Sequence, residues 1–193
     1  MISGNFLLQD GVVKNNGMDR YSLRANLDQR LSKYVKVGLN LTATRSQYDN
    51  VPLGDGDSEN ASLLVAAARF NPLMPIRDEN GDYTMNPDAT FLPNPVSMLD
   101  ITDKTSKDRL LGTFYIDIEP IKDLHIKGNF GLDRNYQKRK TYLPTTTLYG
   151  QKQNGAATIA QQDNNDYLME LTASYLKSFG DHSINALLGH SYQ

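Results

Sequence analysis

Between residues 19 and 48, apolar and polar side chains alternate over stretches longer than an ordinary soluble sheet uses, and this constrains the fold more than any other feature of the chain. From Tyr21 the odd positions carry Tyr21, Leu23, Ala25, Leu27 and, after Gln29, Leu31, while Ser22, Arg24, Asn26, Asp28 and Arg30 stand between them. A period of two marks a strand with two unlike faces. After Ser32-Lys33-Tyr34 the pattern resumes with Val35, Val37, Leu39, Leu41 and Ala43 against Lys36, Gly38, Asn40, Thr42 and Thr44. The spacing predicts a hairpin with one apolar and one polar face along its whole length.

The same alternation returns twice. Leu110, Gly112, Phe114, Ile116 and Ile118 lead to a turn at Pro120-Ile121-Lys122-Asp123 and come back as Leu124, Ile126, Gly128, Phe130 and Leu132. Tyr167, Met169, Leu171, Ala173 and Tyr175 lead to Phe179-Gly180-Asp181-His182 and come back as Ile184, Ala186, Leu188 and Tyr192. A first strand is predicted over 2–9, joined to the hairpin by a link rich in glycine and asparagine. Two long links remain, about 46–108 and about 137–165. The first carries six of the eight prolines and a predicted short helix over 63–70, with Ser58 as its candidate N-cap.

Tight turns and long links therefore alternate along the chain. In an up-and-down sheet successive connections lie at opposite ends, so the tight turns fall on one side and the long links on the other. Outer-membrane barrels have this asymmetry, with short periplasmic turns and long extracellular loops. Strands of roughly ten residues also suit a tilted membrane strand. With a mean hydropathy of -0.53 and no apolar run near the roughly 20 residues of a membrane helix, the chain has no helical span, but a barrel strand hides its apolar residues by alternation. Tyr21, Tyr136, Tyr167 and Tyr192 have the place and parity of an interfacial girdle, Tyr48 has the wrong parity, and Arg134 should lie at the headgroup level or beyond. The expected fold is all-β: about seven antiparallel strands of a larger transmembrane barrel with long extracellular loops. The alternative is a soluble or cell-surface β-sheet module that binds carbohydrate or protein and buries its apolar face under more protein.

Chemistry is sparse. A formal net charge of -2 with interspersed signs offers no basic field for nucleic acid, and without cysteine there is no disulfide framework or thiolate metal site. His125, His182 and His190 lack metal-ligand spacing and read as polar-face or turn residues. Asp78-Glu79-Asn80-Gly81-Asp82 reads as a turn. As a calcium loop its glycine comes two places early and its twelfth position is Ala89. Asp55-Gly56-Asp57-Ser58-Glu59 is a second acidic cluster without further support, and the glycosylation patterns at Asn40 and Asn60 read as accidental. No nucleophile is paired with a base, so no enzyme and no cofactor is expected. Tyr83, Phe91, Tyr142 and Tyr149, set among Asn, Asp and Gln in the long links, are the candidates for ligand or partner contact. The alternative for each is that it packs the loops together.

Several segments resemble one family. The runs Gln9-Asp10-Gly11-Val12-Val13-Lys14-Asn15, Arg20-Tyr21-Ser22-Leu23-Arg24-Ala25-Asn26-Leu27-Asp28 and Lys36-Val37-Gly38-Leu39-Asn40-Leu41 resemble the barrel of SusC/RagA-type TonB-dependent outer-membrane transporters. So do Asn71-Pro72 with Asp78-Glu79-Asn80-Gly81-Asp82-Tyr83, Glu119-Pro120-Ile121-Lys122-Asp123-Leu124, and Leu187-Leu188-Gly189-His190-Ser191-Tyr192-Gln193. The resemblance implies a 22-stranded barrel with an N-terminal plug that imports glycans or peptides. It also implies a SusD-like surface lipoprotein as lid and the TonB complex as energy source. On this reading residues 1–193 are part of the barrel domain, without the plug or the segment that meets TonB.

Overall fold

The computed structural model describes residues 1–52 and 62–193. Among these, seven strands form one antiparallel sheet in sequence order: β1 (Ile2–Asp10), β2 (Gly17–Arg30), β3 (Val35–Asp49), β4 (Thr102–Ile121), β5 (Leu124–Leu143), β6 (Ala156–Phe179) and β7 (His182–Tyr192). A short helix α1 (Leu63–Arg69) and a 3-10 turn (Ser97–Asp100) lie between β3 and β4, and α2 (Leu148–Lys152) lies between β5 and β6.

The turns at one end are tight. Residues 122–123 and 180–181 each close a hairpin in two residues, using the left-handed conformation at Asp123 (φ 70°) and Gly180 (φ 57°). Between β2 and β3 the Ser32 hydroxyl accepts the N–H groups of Tyr34 and Val35, both at 3.1 Å. Pro120 sits where the β4–β5 register shifts between Ile118 and Ile121, a bulge that absorbs its missing N–H.

The register puts the alternating apolar residues on one face. Leu27, Leu39, Phe114, Phe130, Met169 and Tyr192 are successive partners across six strands. Nothing in the described chain covers them. Phe130 is 46% exposed, Leu171 53% and Leu188 76%.

The apolar core lies elsewhere. Leu63, Ala66, Leu92 and Met98 form it, with Val13, Phe70, Ala89, Leu99 and Ile101 packed around. It belongs to the β3–β4 connection, which folds toward the polar face of the sheet. Along the start of β4, Asp103 and Thr105 are buried while Thr102 and Lys104 are exposed, and Ser46, of the same polar-face parity on β3, is buried too. The connection thus covers the top of the wet face and leaves the apolar face open.

Three expectations need correction. The first long link covers 50–101 rather than 46–108. The second, expected over 137–165, is mostly strand: β5 runs to Leu143 and β6 starts at Ala156, leaving only 144–155 as loop. The ladder continues there with polar residues on both faces, so no alternation betrays it. Helix α1 is capped by Ser62, whose side chain accepts from the Val65 N–H; Ser58, the 55–59 acidic cluster and Asn60 lie outside the described residues.

Candidate functional site: an inclined apolar band and the rim above it

On β2 to β6 the apolar face gives way to polar residues at a definite point. The last residue before that point is Tyr21 on β2, Ala43 on β3, Leu110 on β4, Leu132 on β5 and Tyr167 on β6, and beyond them come Asp19, Arg45, Asp108, Arg134 and Asn165. These points do not share one row of the ladder. Ala43 pairs with Leu23, one row below Tyr21, and Leu132 pairs with Gly112, a row below Leu110. Following pairs from Tyr21 leads to Asp163 on β6, four residues from Tyr167. Four residues at about 3.3 Å against four strand spacings of about 4.8 Å give an inclination of roughly 35°. Barrel strands tilt by about 35–45° in the membrane, so the boundary is level with a bilayer surface when the strands are tilted as a barrel requires. The lower edge descends too, from Leu27 through Val35 to Ile121, then runs level through Leu124 and Tyr175 and drops again at Ile184.

Tyr21 and Tyr167 stand on the upper boundary and Tyr192 is on the same face in the row of Met169, while Tyr136 lies beyond Arg134 and outside the band. Tyr48 faces the polar side, with the Lys107 ammonium 5.5 Å from its ring centroid. Burial pushes its phenol up, but hydrogen bonds with Arg20 and Ser46 and the charges of Lys107 and Arg20 outweigh that and leave it below its ordinary value. His190 corrects an expectation: its pairing with Leu171 puts it on the apolar face. His125 does lie on the polar face, its Nδ1 3.1 Å from Asp117 Oδ1, and His182 adjoins the last turn with its ring 6.0 Å from that of Phe179.

Above the band, a clamp fastens the long connection to the wall. Asn50 donates through its backbone N–H to the Asp103 carbonyl at 2.8 Å and through Nδ2 to Thr105 Oγ1 at 3.1 Å. Arg139 forks onto the buried Asp103 carboxylate, Nε to Oδ1 at 2.9 Å and Nη2 to Oδ2 at 2.5 Å. Sequence reading missed this clamp, because Arg139 and Asp103 lie 36 residues apart and only the β4–β5 register makes them neighbours.

Two of the four aromatic candidates are built into the rim. The Tyr83 ring lies under the Arg77 guanidinium, 4.0 Å from its centroid, at the end of a small hairpin. Asn94 clips that hairpin to the loop core by donating to the carbonyls of Ile76 and Thr84 at 3.0 and 3.1 Å. At its tip Asp78 Oδ1 accepts the N–H groups of Asn80 and Asp82, a side-chain-stabilised turn. Burial and a hydrogen bond with Asp100 push the Tyr83 phenol above its ordinary value. The Thr146 hydroxyl also donates to Asp100, at 3.1 Å, so that carboxylate joins the Tyr83 hairpin to the loop carrying Tyr149. Tyr149, on α2, is half-buried, and burial pushes its phenol up. Phe91 and Tyr142 are different, 57% and 48% exposed. Tyr142 is a strand residue opposite Thr102, with the parity of the apolar face carried upward. Among the described residues no group of three or more His, Asp or Glu side chains is placed to hold a metal.

A single sheet with an uncovered, inclined apolar band and loops gathered beyond one edge defines the wall of a transmembrane β-barrel. No family model matches the chain. TonB-dependent receptor P3 of Formosa agariphila is 34% identical to it over 195 residues, covering 100% of this chain and 20% of that protein. TonB-dependent receptor P26 of the same organism is 30% identical, covering 98% and 19%. The solved structure of the RagAB peptide transporter shares the fold, with a TM-score of 0.70 at 21% identity over 98% of this chain and 22% of that one. The RagAB peptide importer in its open-open state gives a TM-score of 0.68 at 21% identity, again over 98% of this chain and 22% of that one. The chain spans about a fifth of the length of the curated relatives it matches. Along its whole length it is similar to TonB-dependent receptors, and its fold is that of a section of an outer-membrane transporter barrel.

Proposed function

We propose that this chain forms part of the wall and outer loops of an active importer that takes large nutrients, glycans or oligopeptides, across the outer membrane with energy from the TonB complex. A SusD-like lipoprotein closes over the loops from outside, and the loop core on the wet face of the wall lines the entry to the lumen. Phe91, exposed beside the loop core, is the side chain best placed to touch cargo or lid. Tyr142, on the outward side of the rim, meets a partner rather than cargo. Tyr83 and Tyr149 serve by holding the rim in shape.

The inclined boundary carries this reading. A sheet that buried its apolar face against protein would have no reason to end that face on a line running about 35° to its own ladder. The name of RagAB as a peptide transporter supports an oligopeptide cargo by analogy, and the resemblance to SusC supports a glycan.

The test uses the intact receptor that contains this chain. Leu39 lies mid-band on β3, and Asn40 on the opposite face donates through Nδ2 to Thr113 at 3.3 Å. Leu39→Arg should destabilise the folded barrel in lipid by about 2–4 kcal/mol, whereas Asn40→Arg should be tolerated. Equal behaviour of the two variants would sink the assignment of a lipid face. Uptake by cells is then assayed with labelled oligosaccharides and labelled oligopeptides as the only carbon source, which decides the cargo.

A further inference from the structure

The wet face of the wall carries its charges unevenly. Three successive rows of the ladder, from the row of Tyr48 down to that of Thr44, present Arg20, Lys107, Arg109 and Arg139 on β1 to β6 and not one carboxylate. Two of these bases are neutralised from the neighbouring rows. Arg109 forks onto Asp133 below at 3.0 and 2.6 Å, and Arg139 onto Asp103 above at 2.9 and 2.5 Å. Among the described residues neither Arg20 nor Lys107 has a carboxylate partner.

Arg20 and Lys107 stand in one row on either side of Ser46, so their Cα atoms are two strand spacings, about 10 Å, apart. Arg20 Nε is buried without a hydrogen-bond partner, and Nη2 contacts Met18 Sδ at 3.6 Å. The exposed Lys107 sets its ammonium 5.5 Å from the Tyr48 ring centroid. Tyr48 feels both cations: against the rise that burial imposes, hydrogen bonds with Arg20 and Ser46 and the two charges hold its phenol below its ordinary value. An orphaned guanidinium donor beside an unpaired ammonium is a costly arrangement that a bound anion relieves. Asp166, the unpaired acid closest to these rows in the ladder, is two strands and four residues from Lys107, about 16 Å at Cα.

The place of the cluster gives it a use. Ser46 and Thr105 beside it are 4% and 8% exposed under the β3–β4 connection, so Arg20 and Lys107 lie at the foot of the loop core. The same row continues across β5 and β6 with Gln137 and Gln162, whose amides both donate and accept.

We propose that Arg20 and Lys107 form a carboxylate-binding subsite in the lumen entry and make the receptor selective for an acidic oligomer. Its carboxylate sits in the Arg20 fork and against the Lys107 ammonium, and its neutral groups meet Gln137 and Gln162. A guanidinium fork matches the two oxygens of a carboxylate, and an ammonium on a flexible stem adds a point charge. The inference rests on the proposal that the wet face lines the route of the cargo. Uronic-acid oligosaccharides and glutamate-rich peptides offer the same chemistry, and the test separates them.

The intact receptor, extracted in detergent, is titrated calorimetrically at about 0.15 M salt with hexagalacturonate, its methyl-esterified form, hexaglutamate and hexaglutamine. The wild type should bind one acidic probe at least about tenfold more tightly than its neutral counterpart, and the better acidic probe names the cargo class. The double variant Arg20→Gln/Lys107→Gln should weaken that probe by about thirtyfold and leave the neutral one unchanged. Lys107→Gln alone, at an exposed position, should weaken it by about fivefold, and Lys127→Gln, lower on the same face, should not. At about 1 M salt the wild-type preference should shrink. The heat-modifiable gel shift of the folded barrel confirms that each variant has assembled. Equal binding of acidic and neutral probes by the wild type, binding of none of them, or variants that keep the preference overturn the proposal. A variant that keeps the preference but melts lower assigns the two cations to a structural contact. In each of these cases the importer reading stands so long as Leu39→Arg and Asn40→Arg differ in lipid and cells take up neutral cargo. If those two variants behave alike, that reading falls as well.

Discussion

The lower and upper halves of β5 and β6 continue one ladder, yet they are built for different surroundings. Below the boundary their outward face reads Leu124, Ile126, Gly128, Phe130 and Leu132, paired with Tyr175, Ala173, Leu171, Met169 and Tyr167. Above it the same face reads Arg134, Tyr136, Lys138 and Lys140, paired with Asn165, Asp163, Gln161 and Ile159. The hydrogen-bonded backbone does not change at the crossing; only the solvent does. In the lower half side-chain chemistry is dictated by lipid on one side, and the backbone must be fully paired because nothing else can satisfy it. In the upper half water satisfies either face, and the apolar cluster of the described residues forms in the connection that leans over the wet side.

The deepest test of that division is a core truncation. Met98, 1% exposed, anchors the loop cluster, and Met98→Ala should cost the loop about 2–5 kcal/mol. Limited proteolysis of the intact receptor should show faster cleavage within 50–101 with no change in the barrel's heat-modifiable shift. A barrel that weakens by the same amount would show that loop and wall are one cooperative unit.

One substitution placed in each half sharpens the contrast. Leu171 and Gln161 share the outward face of β6. Leu171→Lys should destabilise by about 2–4 kcal/mol in lipid, and Gln161→Lys by less than about 0.5 kcal/mol. Comparable losses in denaturant titrations of the reconstituted receptor would place both residues in one environment.

The wet face of the lower half has a tight fit of its own. A Cβ on Gly38 would lie 2.0 Å from the Tyr115 ring, which crosses over that glycine so that its hydroxyl reaches Asp28 at 2.5 Å. Gly38→Ala should cost about 1–3 kcal/mol, and much less in a Tyr115→Ala background. An undiminished cost in the double variant would show that the strain comes from the backbone.

The smallest effect is one of pH. Tyr83 and Tyr149 hold their protons more tightly in the folded rim than in the unfolded chain. Their contribution is therefore complete below about pH 10 and declines as pH rises through their folded values. Tyr48, shifted down, works in the opposite direction. Proteolysis of the 50–101 loop should accelerate above that pH, and Tyr83→Phe should blunt the acceleration.

Much of the wall was legible because lipid writes a period of two into the sequence. Tyr21 to Leu27 and Val35 to Ala43 could be assigned to faces from parity alone, and the register agrees residue by residue. The upper halves of β5 and β6 were not legible for the same reason inverted. Gln137, Lys138, Arg139 and Lys140 are all soluble, so a paired strand and a free loop look alike. His190 was misplaced by giving its chemistry more weight than its parity. Ser62 lost to Ser58 because a cap is chosen by where the helix begins, and that depends on the Leu63 N–H reaching the Pro52 carbonyl at 2.8 Å. The rim aromatics posed a harder problem: only the fold shows that Tyr83 is engaged by Arg77 and Asp100 while Phe91 is bare.

The oblique course of the apolar edge also guards against misassembly. Sliding any strand by one residue turns its greasy side inward, and sliding it by two keeps the side correct but moves the strand about 5 Å in depth. On β5 such a slip would carry Arg134 to the level of Leu132, among acyl chains. Each ladder is thus checked twice as the sheet zips together, once by orientation and once by height, and the bilayer itself acts as the gauge.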